Sequence, residues 1–244
     1  MIPSESVRTI ERLSSGIKEL DVLIDGGYPK SRSVLITGGP GVGKTIIALQ
    51  FINDACANGL KCIYLATEET PEELKIQAAQ LGLSISEYEK NGLLTFEPVL
   101  AERMDDVTWQ RGKNTGTSLF KKPLNSIKSS DADIVVLDNI GSYTLDTTIG
   151  TFREQMDYLV NTIRERKMTG LIISDEALNE RYNNVAQYSV HGAIHMFKRE
   201  SPFTGNVERL MNVVKMRGTN TPLSYVRYSI NQNGINVQNQ KESK

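Results

Sequence analysis

Glycine, lysine and threonine stand at a spacing that suits phosphate in the segment GGPGVGKT, residues 38–45. The segment matches the pattern G-x-x-x-x-G-K-[ST] and lies between an apolar run and an amphipathic run, which predicts a loop between a strand and a helix. Glycines let backbone N–H groups face phosphate, the lysine neutralises phosphate oxygens, and the threonine hydroxyl binds Mg²⁺. The residues predicted to bind nucleotide here are Gly38, Gly39, Gly41, Val42, Gly43, Lys44, Thr45 and Ile46.

A carboxylate for the same Mg²⁺ lies near the end of the segment DIVVLDN, residues 133–139. Four apolar residues predict a buried strand, and Asp138 follows them. Mg²⁺ needs few protein oxygens beside phosphate and water, and parallel strands bring their carboxyl ends together. We therefore predict that Thr45 and Asp138 hold the metal, although an aspartate that merely caps a turn would have the same sequence.

Two adjacent glutamates, Glu68 and Glu69, follow an apolar run in the segment ATEET. They end the strand that comes after the loop helix, so they should lie near a γ-phosphate. Alternatively, they could favour the positive end of a helix beginning at Pro71, but Glu72 and Glu73 are better placed for that. We interpret Glu68 and Glu69 as groups that orient or deprotonate an attacking water, and their mutual repulsion would make one of them a better base.

Short β-branched runs alternate with longer helical patterns, which predicts an α/β fold with a mainly parallel central sheet flanked by helices. Capping-box patterns at Thr70 and Ser84 predict two helix starts. After Val190, strand-like segments between Gly, Pro and Asn turns predict antiparallel C-terminal strands. We expect one domain over residues 1–237 and a disordered polar tail over 238–244. The predicted strands before Val190 are 33–37, 62–65, 93–96, 134–137 and 171–173.

The charge balance and the apolar runs limit the classes of partner. With 28 basic and 29 acidic residues the net charge is −1, so no overall field would draw the molecule to nucleic acid or an anionic membrane. The first residues lack the apolar core of a signal peptide, and no run approaches the roughly 18 apolar residues of a membrane span. We expect a soluble cytoplasmic protein without a membrane partner.

Four motifs in a fixed order resemble the KaiC-type branch of the RecA superfamily of ATPases, a group of P-loop NTPases. The first is the stretch GIKELDVLIDGGYPKSRSVLITGGPGVGKT, which is similar to the entry segment and phosphate loop of that family. The second and third are ATEETPEE, which matches its paired catalytic glutamates, and VVLDN, which matches its Mg-associated aspartate. The fourth, VVKMRGTNTP, resembles its K-x-R-G-T segment.

The resemblance implies a Mg-dependent ATPase that binds ATP and assembles into a ring, which we expect to be a hexamer. In that family the lysine and arginine of the fourth motif, here Lys215 and Arg217, reach across a subunit boundary to the neighbour's ATP. Met216 and Thr219 match further nucleotide-contacting positions. An arginine from a neighbour stabilises charge that develops on the γ-phosphate. From the residues alone, Lys215 and Arg217 could also be surface charges on an edge strand.

The resemblance leaves the biological role open. Our leading interpretation is hydrolysis that changes the ring and so regulates a protein partner, which the sequence does not identify. Residues 107–130 hold five basic residues, no acid, and Trp109 and Phe120, so a RecA-type DNA-binding ATPase is an alternative, although we interpret this segment as a mobile, solvated loop. A nucleotide-sensing scaffold with little hydrolysis and an autokinase are further alternatives. The clock protein of the family carries two such domains and this chain one, so clock function does not transfer.

Overall fold

The apolar runs of the sequence form the strands of a central sheet. The computed structural model describes residues 10–99, 120–143, 147–175, 180–202 and 204–238. Within these ranges, nine strands form one sheet and two further short strands pair with each other. The strands are β1 (Arg12–Leu13), β2 (Tyr28–Pro29), β3 (Ser33–Gly38), β4 (Cys62–Ala66), β5 (Leu94–Pro98), β6 (Ile134–Asp138), β7 (Thr169–Asp175), β8 (Gly192–Glu200), β9 (Val207–Met216), β10 (Val226–Asn231) and β11 (Gly234–Val237).

The order of strands in the large sheet is β11-β10-β9-β8-β3-β7-β6-β4-β5. Strands β8, β3, β7, β6, β4 and β5 are parallel to one another. Strands β9, β10 and β11 extend the sheet in antiparallel fashion from β8. Every residue of β3 and β4 is buried, as expected for parallel strands covered on both faces. The predicted α/β class with antiparallel C-terminal strands is confirmed.

Helices cover both faces of this sheet. Alternate residues of β3 face opposite sides, since Val34 and Ile36 belong to one apolar cluster and Leu35 to another. The first cluster includes residues of α1 to α4, and the second includes residues of α5 to α7. The helices are α1 (Lys18–Leu23), α2 (Lys44–Ala57), α3 (Pro71–Gln80), α4 (Ile85–Lys90), α5 (Lys121–Ser129), α6 (Ile149–Glu165) and α7 (Glu180–Ser189), with a 3₁₀ turn at Gly141–Tyr143.

The two capping-box patterns have different outcomes. At the start of α3, the Thr70 side chain accepts from the N–H of Glu73, and the Glu73 side chain accepts from the N–H of Thr70, so this capping box is confirmed. Helix α4 does begin after Ser84, but the Ser84 side chain makes no capping bond. The backbone N–H of Ser84 donates to Asn53 Oδ1 at 2.8 Å. The ψ angle of Ser84 is 29°, which lies outside the extended region that an N-cap needs. The second capping box is therefore wrong, although the helix is right.

The basic segment 107–130 is helical over its second half. Phe120, directly before α5, and Leu124 and Ile127 within it are at most 3% exposed and pack into the core. The prediction of a solvated loop is wrong here because apolar residues at i, i+4 and i+7 outweigh the lysines between them. Residues 107–119 lie outside the described residues.

The last described strand, β11, ends at Val237, next to the predicted boundary of the tail. Residues 239–244 lie outside the described ranges, so the predicted tail stays a prediction. None of the helices in the described part of the chain combines the length and apolar content needed to cross a bilayer.

Candidate functional site

The register of the parallel strands brings the ends of four strands together at one edge of the sheet, which we call the loop edge. Gly38 at the end of β3 pairs with Asp175 at the end of β7. Ala66 at the end of β4 pairs with Asp138 at the end of β6, and β6 adjoins β7. The glycine-rich loop and the segment that carries the glutamates therefore leave the sheet at the same edge.

The glycine-rich loop has positions that no larger residue would fit. Gly43, just before α2, has φ 102° in the left-handed region. A Cβ on Gly38 would lie 2.1 Å from the carbonyl oxygen of Met196 in β8. Val42 is buried, and its carbonyl accepts from the Tyr228 hydroxyl at 2.7 Å, so β10 braces the loop. The loop enters α2 directly, and the free N–H groups at that helix start favour an anion.

The ammonium group of Lys44 is held at the loop edge by three oxygens. It donates to the carbonyls of Gly38 at 2.9 Å and Gly39 at 3.0 Å, and it forms an ion pair with the carboxylate of Asp175. Asp175 was not among the site residues predicted from the sequence. A sequence signal for Asp175 exists, because it follows the buried apolar run of β7 just as Asp138 follows the buried run of β6.

Asp138 accepts two hydrogen bonds on one oxygen. Thr45 Oγ1 donates to Asp138 Oδ2 at 2.9 Å, and the Tyr64 hydroxyl donates to the same oxygen at 2.6 Å. Burial raises the pKa of Asp138 to about 6, the hydrogen bonds from Tyr64 and Thr45 oppose that rise, and the charges of Glu69 and Glu68 add to it. The predicted pair of Thr45 and Asp138 is thus in direct contact.

The oxygens of Thr45 and Asp138 fit a Mg²⁺ ion that arrives with a nucleotide. Mg²⁺ keeps several waters and is usually held by one or two carboxylates together with substrate phosphates. In the part of the chain that the structure describes, no group of three or more His, Cys, Asp or Glu side chains is placed to hold a metal alone. Mg²⁺ seldom binds in a cage made only of protein groups. One hydroxyl and one carboxylate beside a phosphate loop are therefore a suitable donor set for it.

Asn139 and Thr67 tie the strand ends together. Asn139 Nδ2 donates to Asp175 Oδ2 at 2.9 Å, so the partner of Lys44 is itself oriented. Thr67 Oγ1 donates to the Asn139 carbonyl at 3.0 Å, and the Thr67 N–H donates to the Asp138 carbonyl at 2.7 Å. Because Thr67 directly precedes Glu68, these bonds fix the point where the glutamate segment leaves the sheet.

The two glutamates have different surroundings. Glu68 is exposed and Glu69 is partly buried. Glu69 Oε2 accepts from Gln77 Nε2 of α3 at 2.6 Å. Burial raises the pKa of Glu69, the bond from Gln77 opposes that rise, and the charges of Glu73 and Glu68 add to it. A raised pKa makes this carboxylate a stronger base, but burial is its main cause and the predicted repulsion by Glu68 is only a smaller contribution.

One cavity of about 560 Å³ lies in front of the loop and contains most of the predicted residues. Arg209 of β9 also lines it, and its Nε atom is buried with no hydrogen-bond partner among the described residues. No sequence motif marked Arg209 or Gln77, because both reach the site from elements placed by tertiary packing. The predicted residues that line the cavity are Gly41, Gly43, Lys44, Thr45, Ile46, Glu68, Glu69 and Asp138.

Lys215 and Arg217 lie at the opposite edge of the sheet, where the parallel strands begin, which we call the far edge. Met216 pairs with Gly192, which pairs with Val34, so this end of β9 lies about 13 Å along the strands from the loop. Lys215 Nζ donates to the Val190 carbonyl at 2.8 Å, and Arg217 Nη2 donates to the Tyr188 carbonyl at 3.1 Å. Burial, with Arg217 beside it, lowers the pKa of Lys215 to about 8.

Met216 and Thr219 lie beside these cations. Met216 is 4% exposed and packs in the core, and Thr219 Oγ1 accepts from Arg12 Nη2 at 2.5 Å. Neither residue lines the cavity of its own chain. A nucleotide contact by any of the four residues of this motif stays a prediction, and it requires a second subunit.

Comparison with known proteins identifies the family. The family described as "ATPase: KaiC" matches residues 13–242. The chain belongs to the KaiC family of ATPases. This membership places it in the RecA-like, P-loop class of ATP-binding ATPases and confirms the resemblance drawn from the four motifs.

Relatives of two lengths match this KaiC-family chain. The clock protein KaiC of Acaryochloris marina is 26% identical over 234 residues, 93% of this chain and 42% of that protein. KaiC2 of a Synechocystis strain is 33% identical over 180 residues, 71% of this chain and 29% of that protein. The chain therefore spans less than half the length of these clock proteins. The UPF0273 protein MK0039 of Methanopyrus kandleri is 26% identical over 239 residues, 95% of this chain and 94% of that protein.

A solved structure has the same fold. The KaiC-like protein PH0186 from Pyrococcus horikoshii OT3 superposes with a TM-score of 0.75 at 26% identity. The match covers 95% of this KaiC-family chain and all of the other one. The likeness therefore extends over nearly the whole chain.

Proposed function

We propose that the chain binds MgATP at the loop edge and hydrolyses it, in a ring whose subunits complete one another's sites. The observation that carries this proposal is the meeting of Lys44, the Thr45–Asp138 pair and two glutamates in one cavity. Phosphate binding, metal binding and activation of water need these groups within a few ångströms of one another. We further propose that residues 1–237 act as one ATPase unit.

The loop supplies the phosphate contacts. Backbone N–H groups at the start of α2 face the phosphates, and the ammonium of Lys44 exchanges an oxygen of its present shell for a phosphate oxygen. Thr45 and Asp138 would hold Mg²⁺, which would supply positive charge to neutralise the charge that develops on the phosphates. Asn139 donates to the carboxylate of Asp175 and would continue to hold it when Lys44 turns to the phosphates.

The glutamates supply the base. Water that attacks the γ-phosphate must be oriented and lose a proton, and a carboxylate with a raised pKa is suited to both tasks. Glu69 has such a pKa, and both glutamates line the cavity. Thr67 holds the chain just before them, so their distance from the loop is set by the sheet.

Cations from a second subunit would supply further positive charge near the γ-phosphate. Lys215 and Arg217 lie too far along the sheet to reach the cavity of their own chain, which supports a role in a neighbour's site. Phosphoryl transfer spreads charge over the γ-phosphate oxygens, and an arginine placed there raises the rate greatly. A head-to-tail contact that presents the far edge of one subunit to the loop edge of the next closes into a ring when the rotation fits, and we expect six subunits.

Regulation of a protein partner is the role that we propose for this ring, on the strength of the family resemblance. A DNA-binding role has less support. In the described half of the basic segment, Lys122 donates to the Pro98 carbonyl at 2.8 Å and Lys128 lies over the ring of Tyr158, so these cations already have partners within the chain.

Phosphate release per subunit at saturating MgATP, followed across a dilution series, tests the proposal. We expect specific activity to fall on dilution, to vanish in Lys44→Ala, and to be unchanged in Lys90→Ala, which alters an exposed lysine on α4. Constant activity on dilution would mean either a self-contained site or a ring too tight to dissociate, and the two are separated by measuring the oligomeric state at the lowest concentration. Tight binding of a fluorescent ATP analogue without phosphate release would favour a nucleotide-sensing scaffold. A phosphorylated chain in mass spectrometry would favour an autokinase, and DNA-stimulated release would favour the DNA-binding class.

A further inference from the structure

Glu68 and Glu69 are neighbours in sequence, but one of them is fixed by a contact from another element. Glu69 Oε2 accepts from Gln77 Nε2 at 2.6 Å, a short bond for a nitrogen donor and typical of a charged acceptor. Glu68 is exposed and has no hydrogen-bond or ion-pair partner among the described residues. The two carboxylates therefore differ in how tightly their orientation is set.

The helix that carries Gln77 is anchored at several points. The Thr70 capping box fixes its first turn, and its own residues Leu74 and Ala78 are buried in the core. Lys75 Nζ donates to Glu89 Oε2 of α4 at 2.9 Å, which ties α3 to the next helix. An amide that projects from an anchored helix holds its partner more firmly than one on a loop.

Gln77 also faces the reaction centre. It lines the same cavity as Lys44, Asp138 and both glutamates. Its amide occupies Oε2 of Glu69 and leaves Oε1 available to a water molecule. Nothing in the sequence marked this residue, because it stands nine positions after Glu68 in a helix with an ordinary surface pattern.

We propose that Gln77 is a positioning residue, whose side-chain amide fixes Glu69 in the orientation needed for attack by water on the γ-phosphate. The proposal rests on the proposed ATP hydrolysis. The amide has two effects on Glu69: it restricts the side chain to one rotamer, and it stabilises the ionised form that can accept a proton. Glu68, without such a contact, keeps a freely turning carboxylate.

The test compares Gln77→Leu, Gln77→Glu and the control Gln80→Leu, which makes the first change at an exposed glutamine of the same helix. Gln77→Glu is nearly isosteric, so it preserves packing while replacing the donor by a carboxylate. We expect kcat to fall about tenfold in Gln77→Leu and further in Gln77→Glu, with KM for ATP within about twofold, since only an interaction that acts through the base is lost.

The pH dependence separates positioning from a general structural role. A donor to a carboxylate lowers its pKa, so its removal should move the acid limb of the kcat profile to higher pH in Gln77→Leu, and further in Gln77→Glu. Gln80→Leu should match the wild type. Normal kcat and an unshifted acid limb in Gln77→Glu would overturn the inference while leaving ATP hydrolysis intact. A wild-type chain that releases no phosphate would overturn the proposed function, and the inference with it.

Discussion

The loop edge and the far edge of the same sheet have opposite charge. The cavity at the loop edge is lined by four carboxylates and two cations, and the carboxylates are Glu68, Glu69, Asp138 and Asp175. At the far edge, Lys215 and Arg217 donate to backbone carbonyls, and no carboxylate among the described residues lies within ion-pair distance of them. The two edges of one subunit are therefore complementary to each other but too distant to meet within it.

The difference shows how one chain can divide a site. The loop edge has the groups that we propose hold phosphate and metal, whereas the far edge has two cations that form no ion pair within the described chain. Phosphates at the loop edge of a second copy would supply the missing negative charge, and the approach of opposite charges steers such a contact. The comparison predicts that defects at the two edges behave differently.

Mixing subunits with defects at opposite edges gives the largest expected effect. Lys44→Ala should lose nucleotide binding at its own site, and Arg217→Ala should lower kcat about 1000-fold while still binding ATP. In an equal mixture, activity should recover to roughly a quarter of the wild-type value, the chance that two intact halves meet in a random ring.

A control mixture combines Lys44→Ala with a double variant that carries both changes, and it should stay inactive. Recovery must be measured as phosphate release after the subunits have exchanged. If the first mixture is as inactive as its components, the two edges do not belong to one shared site.

The pKa of Lys215 predicts a pH effect confined to the far edge. Because burial lowers this pKa to about 8, the charge offered to a neighbour is present below pH 8 and is lost as pH rises through that value. The protein concentration that gives half-maximal specific activity should rise about tenfold between pH 7 and pH 9. In Lys215→Arg this half-maximal concentration should not change between pH 7 and pH 9. If it rises in the variant as it does in the wild type, another group is responsible for the pH effect.

Removal of charge at the loop edge should strengthen binding. Asp175 competes with phosphate for Lys44 and repels the γ-phosphate, so Asp175→Asn should lower the Kd for MgATP about fivefold. Fluorescence titration measures this, with Asp131→Asn, an exposed carboxylate, as the control. Weaker binding in Asp175→Asn would show that its charge helps to hold the nucleotide.

The smallest effect concerns the helix that carries Gln77 to the loop edge. Thr70→Ala removes one side of the capping box and should lower the free energy of unfolding by about 1 kcal/mol. Ser84→Ala should leave it nearly unchanged, because the Ser84 side chain makes no capping bond. Urea denaturation of both variants measures the free energy of unfolding. An equal decrease in Thr70→Ala and Ser84→Ala would contradict the assignment of the cap to Thr70 alone.

Sequence reasoning succeeded where the signal is local. The phosphate loop, the α3 cap and the aspartate at the end of β6 each depend on a few adjacent residues, and all are found where the sequence predicted them. The Ser84 box failed because Asn53, 31 positions earlier, takes the N–H of Ser84 and holds it outside the capping geometry. Local patterns do not report such a contact.

The rest of the site depends on which strands are neighbours. Asp175 carries the same signal as Asp138, but its role becomes visible only when β7 lies next to β3. Gln77 lies on α3 and Arg209 on β9, an inner strand of the sheet, and no sequence motif marks either residue. The distance between the two edges follows from the register of β8 and β9, which no spacing in the sequence encodes.

The separation of Lys215 and Arg217 from the loop has a consequence for the cell. If each working site takes one half from each of two chains, then the number of working sites grows more steeply than the number of chains until assembly is complete. A modest change in synthesis or degradation of this protein would then produce a larger change in ATP turnover. The amount of protein in the cell would then control the rate of ATP turnover. The physical cause is the separation of about 13 Å along the strands, which keeps the two half-sites of one chain apart.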